Sequence, residues 1–174
     1  MIDGKYGHFS VVQEPIAFKY TIPISDFIED ASTVLDPIHK LPNATELDYV
    51  ELLISSWGGD VDTMIALVDS LEYCNAHIHA RVSGKCASAA TLPLFKCDTI
   101  HVAKGTQFLF HNAETGFRAD TNELFRFADF QKKSVDKLLR ESYAGFLTEE
   151  ELTDMIDNNR QIYMDDVEFT QRWN

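Results

Sequence analysis

Apolar and polar positions alternate in blocks that predict strands followed by helices. Residues 49–54 form a nearly continuous apolar run bounded by Asp48 and Ser55, the pattern of a strand buried on both faces of a parallel sheet. Gly58 and Gly59 follow, then Asp60 as an N-cap, with Met64, Leu67, Val68 and Leu71 on one helical face. The unit repeats at once. Residues 77–82 predict a strand, Gly84 a turn, and residues 86–95 a short helix rich in Ala and Ser. Two successive βα units predict an α/β fold built on parallel strands.

The flanks are less regular. Residues 16–24 read as a strand broken by Pro23, residues 26–35 as a helix that Pro37 ends, and residues 37–45 as a loop. Residues 99–103 and 107–111 predict two strands around a Lys104-Gly105 turn. The longest helix spans residues 121–146, with Leu124, Phe127, Val135, Leu138 and Leu139 as its apolar positions. Another covers residues 148–157, opening on Thr148 and Glu151 at capping-box spacing. The tail after Tyr163 is expected to be short and polar.

With 174 residues, 45% of them hydrophobic, the chain suits one domain over residues 1–174. Fifteen Lys and Arg against 28 Asp and Glu give a formal charge of −13. No basic stripe is present to neutralise phosphates, so nucleic acid is not an expected partner. Cys74, Cys86 and Cys97 are odd in number and lie in apolar segments without metal-ligand spacing. They predict reduced thiols in a cytoplasmic protein, with no disulfide scaffold and no metal. The first twenty residues lack a basic stretch followed by an apolar core, and nowhere do eighteen apolar residues run together, so neither export nor a membrane span is expected.

Candidate chemistry gathers where the repeated units end. Ser88 falls in the first turns of a predicted helix that follows a buried strand, where unpaired backbone N–H groups can hold an anion or a developing oxyanion. Its neighbours Ala87, Ala89 and Ala90 are small, which suits either close helix packing or the approach of a substrate backbone. Gly58 and Gly59 end the adjacent strand and permit positive φ, so both turns face one crevice at the carboxyl edge of the sheet. Amides of Gly59 and Ala89 can form a two-donor hole beside Ser88. His111 ends the apolar run Phe108-Leu109-Phe110 and supplies a base. The other histidines are His8, His39, His77, His79 and His101, and three of these lie inside predicted strands.

The segments "ISSWGGDVDTMIALVDSLEYC", "VSGKCASAATLPLF" and "TQFLFHNAETG", followed by the long helix, resemble in order and separation the proteolytic subunit of Clp protease, ClpP. That family reads roughly "INSPGG", "GQAASMG", "MIHQP", a long helix and an "RDRF" segment. The likeness covers about residues 16–170. It implies a crotonase-like spiral of ββα units with a long C-terminal helix. It also implies a serine endopeptidase acting on unfolded polypeptides inside a homo-oligomeric chamber of heptameric rings stacked into a tetradecamer. ATP would be used by an AAA+ unfoldase partner, and the peptidase itself needs no cofactor. Ser88 occupies the nucleophile position and His111 the general base, while Gly59 and Ala89 stand where the oxyanion-hole amides lie.

Departures from the family pattern mark what is particular to this chain. Trp57 stands for a proline, Lys85 for a glutamine, and Ala89-Ala90 for Met-Gly. At the third triad position, gap-light counting places Asn159, anchoring on Tyr163-Met164 places Gln161, and Asp157 is the nearby carboxylate. An asparagine accepts a hydrogen bond from imidazole but does not stabilise imidazolium as a carboxylate does. The alternatives are a weakened or inactive ring subunit with a scaffold or regulatory role, a crotonase-fold acyl-CoA enzyme using Asp60, and a serine/lysine dyad using Lys85. The short ends relative to cellular members suggest a phage-type or accessory version.

Overall fold

The computed structural model describes residues 16–116, 118 and 120–174. The reading of the N-terminal segment as free of a targeting leader falls largely on residues 1–15, outside the described residues. A six-stranded sheet organises the fold: β1 (Lys19–Ile28), β2 (Tyr49–Gly59), β3 (His77–Ala87), β4 (Thr99–Val102), β5 (Gln107–Phe110) and β6 (Ile162–Asp165). β1, β2 and β3 pair in parallel. β4 and β5 then pair one after the other along the far edge of β3, and β6 runs antiparallel to β5. The helices are α1 (Leu35–Lys40), α2 (Val61–Glu72), α3 (Thr121–Tyr143), α4 (Glu149–Asp157) and α5 (Asp166–Trp173).

β2 is buried on one face only, correcting the two-sided expectation. Val50, Leu52, Ile54 and Ser56 face the core, while Glu51 and Leu53 alternate toward the partly open side. That side also carries Lys19, His79, Arg81 and His101, with Lys19 and Glu51 ion-paired at 2.7 Å. Among the described residues, β1 is an edge strand. The Phe18 carbonyl accepts from the Tyr49 amide at 2.9 Å, so residues 18, 20, 22 and 24 hydrogen-bond toward β2 and residues 19, 21, 23 and 25 face outward. Pro23 occupies an outward position and interrupts no ladder bond, which is why it does not break the strand as its sequence suggests.

Other boundaries move for identifiable reasons. The helix expected over residues 26–35 is absent at its start, because β1 continues to Ile28 through a register shift at Asp26, whose φ is +54°. Asp30 caps a 3₁₀ turn (Ala31–Val34), and α1 follows with Pro37 in its first turn, where no amide donor is needed. Much of the expected loop at residues 37–45 is therefore helical, with Leu41 fully buried. Gly84, at φ +72°, bends β3 without ending it, and the helix expected from Cys86 begins at Ser88 as a nine-residue 3₁₀ segment, Ser88–Lys96. α3 stops at Tyr143, three residues early, and its first half projects with Phe125 and Phe130 71% and 64% exposed. Leu124, read as a core position, is exposed as well.

The tail is the largest correction, because it is a strand and a helix. Met164 and Phe169 are buried, and Phe169 stacks on Phe108 with centroids 3.9 Å apart. Two short elements with one inward apolar residue every second or fourth position read as polar in a one-dimensional scan. Arg172 of α5 locks the tail to the capping box of α4 through both Glu151 oxygens at 2.9 Å. The Arg172 hydrogen bonds, aided by the Thr148 amide, hold the Glu151 carboxyl at about 2 against an ordinary 4.5, with partial burial opposing them. A depressed carboxylate stabilises fully above its unfolded value and loses that contribution as pH falls through its folded value. Stability should therefore decline as pH drops from about 4.5 toward 2. Glu151→Gln should be less stable at neutral pH and show a shallower decline across that window, as read by denaturant melts in circular dichroism.

Candidate active site

The end of β2 presses directly on the turn that carries Ser88. Gly58 has φ +92°, and a Cβ there would lie 2.5 Å from the Ala87 carbonyl oxygen, 2.7 Å from Ser88 Cβ and 3.0 Å from the Ala89 nitrogen. Glycine is required twice over, by backbone conformation and by backbone proximity. Gly59, at φ +143°, is similarly tight against β1, where a Cβ would meet the Ile28 carbonyl oxygen at 2.1 Å. Buried Ser56 ties these strands together. Its hydroxyl donates to the Asp26 carbonyl at 2.6 Å and accepts from the Gly58 amide at 3.0 Å.

Ser88 itself adopts φ +56°, a left-handed conformation that a serine takes only when its surroundings impose it. It sits between β3 and the 3₁₀ segment, the strand-to-helix position at which a side chain is thrust out of the backbone path. The Ser88 carbonyl accepts from Thr91 Oγ1 at 2.7 Å, and Thr91 Oγ1 lies 2.7 Å from the hydroxyl of buried Tyr143 at the end of α3. Burial pushes the Tyr143 phenol well above its ordinary range. Sequence reading missed this network. A hydroxyl three residues after Ser88 has the spacing for a side-chain bond to its carbonyl, but nothing local points to Tyr143.

Ser88 and His111 line the same cavity of about 20 Å³, together with Val61, Ala89, Ala113 and Leu138. Val61, Ala113 and Leu138 also line a neighbouring groove of about 270 Å³ that reaches Gly59 and Asp60. Thus Ser88, His111 and Ala89 come together, and Gly59 borders the adjoining groove. Two rival centres have structural occupations. Asp60 caps α2 by accepting from the Thr63 amide at 2.7 Å, and Lys85 Nζ sits 4.5 Å from the centroid of the Trp57 ring. Burial pushes the thiols of Cys86 and Cys97 up, the latter to about 12, so neither is a ready nucleophile.

The three candidates for the third triad position have different partners. Asn159 follows α4 in a left-handed conformation, φ +52°, and its Oδ1 accepts from Asn112 Nδ2 at 3.3 Å. Asn112, the residue after His111, also donates to the Ile156 carbonyl at 3.1 Å. Gln161 accepts from the Tyr163 hydroxyl. Asp157 lies 3.7 Å from Lys132 and 3.6 Å from Arg140 on α3. Only Asn159 is thus brought to the residue beside His111. Among the described residues, the His111 imidazole makes no hydrogen bond.

A serine in a strained strand-to-helix turn, sharing a cavity with a histidine at the carboxyl edge of a parallel sheet, is an arrangement suited to serine acyl transfer. The family model of Clp protease matches residues 12–169, and the chain belongs to that family. The mixed sheet with its long α3 is the ClpP fold, and the family is one of serine-type peptidases that generally form rings working with AAA+ partners. No curated protein sequence matches the chain. Among the described residues no helix is long and apolar enough to cross a membrane. Gly58→Ala should destabilise the fold by about 2–3 kcal/mol in urea unfolding, because strain and backbone overlap add. It should also slow the reaction of Ser88 with a fluorophosphonate.

Proposed function

We propose that this chain is a serine endopeptidase of a Clp-type protease, cleaving unfolded polypeptides within an oligomeric chamber supplied by an AAA+ unfoldase. Ser88 is the nucleophile and His111 the general base that takes its proton. The amides of Gly59 and Ala89 hold the oxyanion, and water releases the acyl-enzyme. The observation that carries this reading is the left-handed Ser88 turn, clamped by Gly58, in a cavity that His111 also lines. Association of subunits is supported by the uncovered face of a largely parallel sheet, which ordinarily has cover on both sides, and by the exposed Phe125 and Phe130.

Asn159 is the orienting residue in this reading, because of the three candidates it alone reaches the residue beside His111. A second reading, a ring subunit with weakened turnover, is favoured by that same contact. The Asn159 oxygen is bonded to Asn112, and an amide does not neutralise a developing imidazolium.

Fluorophosphonate labelling of the assembled protein should modify Ser88, vanish in Ser88→Ala and fall steeply in His111→Ala. Absence of any Ser88-dependent adduct would establish the scaffold reading. Asn159→Asp should raise kcat/KM on a fluorogenic peptide by roughly 10-fold or more, short of the about 10⁴ that separates carboxylate from amide in a buried triad, because Asn159 is exposed. An unchanged rate would remove Asn159 from the triad.

A further inference from the structure

We infer that Thr91 and Tyr143 are positioning residues that aim the Ala89 amide into the oxyanion hole; this rests on the peptidase reading above. The Ser88 carbonyl and the Ala89 N–H belong to one planar trans peptide and so point in opposite directions. Holding the oxygen on one side fixes the N–H on the other. The Thr91 hydroxyl holds that oxygen at 2.7 Å. The Ala89 nitrogen lies against the Gly58 backbone, 3.0 Å from where a Gly58 Cβ would stand. It therefore lies beside the strand end that supplies the other proposed donor, Gly59.

The direction of the hydrogen bonds follows from proton counting. Thr91 has one hydroxyl proton and donates it to the Ser88 carbonyl, so at its 2.7 Å contact with Tyr143 it accepts, and the phenol donates. The chain runs one way, from Tyr143 through Thr91 to the Ser88 carbonyl. Tyr143 is itself immobilised, 1% exposed and edge-on to both Phe95 and Phe110 with centroids 5.4 and 5.3 Å away. A flip of the 88–89 peptide, which turns ψ of Ser88 and φ of Ala89, would point the Ala89 N–H away and remove that donor. The two hydroxyls oppose that flip from the C-terminal end of α3, so the long helix is connected to the oxyanion hole through two hydrogen bonds.

The test uses the assembled protein and a fluorogenic tripeptide amide. Thr91→Val should lower kcat roughly 10- to 100-fold with KM changed less than about twofold, since an oxyanion donor acts on the transition state alone. Thr91→Ser should restore most of the loss. Thr91→Val also strands the buried Tyr143 hydroxyl and should lower the melting temperature. The double variant Thr91→Val/Tyr143→Phe removes that orphan and should regain much of the melting temperature while kcat stays low. Recovery of kcat together with stability, or a Thr91→Val enzyme within about twofold of native kcat, overturns the inference and leaves Thr91 and Tyr143 as packing residues. A native chain without Ser88-dependent hydrolysis overturns the peptidase reading itself, and this inference with it.

Discussion

The contact on which the site depends is the approach of the Gly58 backbone to the Ala87–Ala89 turn, where no side-chain atom fits between β2 and the start of the 3₁₀ segment. Everything at the carboxyl edge of the sheet is arranged by that proximity. It sets the distance between the two glycines of β2 and the Ser88 turn, and it leaves main-chain amides, which need no particular side chains, as the groups facing the crevice. The same strand end is tethered on its other side by the Ser56 hydroxyl to the irregular end of β1. The register shift at Asp26 is therefore part of the mounting of the serine turn, two strands away.

Strain and restraint are concentrated together. Asp26, Ser88 and Asn159 are the non-glycine residues with positive φ among the described residues: Asp26 at the register shift within β1, Ser88 where β3 passes into the 3₁₀ segment, and Asn159 just beyond α4. Left-handed backbone costs about 1 kcal/mol or more at such residues. It persists here beside specific bonds: the Asp26 carbonyl to Ser56, the Ser88 carbonyl to Thr91, and the Asn159 side chain to Asn112. Asparagine tolerates the left-handed region better than most residues. Asn159 thus has a backbone reason to be present, independent of any role toward His111.

What could be seen in the sequence was what repeats locally. The βα units, the Asp60 cap and the Thr148 capping box follow from spacing that a linear scan detects, while the pairing of Ser88 with His111 drew on the resemblance to the family as well. The α/β class and family follow from the order of those units. What escaped was long-range. Pro23 and Pro37 read as terminators because their tolerance depends on facing the edge of the sheet or occupying a first turn. The tail from Ile162 read as polar because its inward residues, Met164 and Phe169, meet partners more than fifty residues earlier. Within the site, Tyr143 and Asn112 act through contacts 52 and 47 residues distant, for which no periodicity exists.

The outward placement of Pro23 bears on how copies of this chain can meet. At the midpoint of the edge strand β1 it presents no N–H, so an incoming strand cannot form an unbroken ladder there. Growth by sheet extension is discouraged along that border, while the broad face beside it stays uncovered. Subunits gathered into a closed assembly are steered toward side-chain contacts between surfaces, which can tilt and slide, and away from a rigid continuous ribbon.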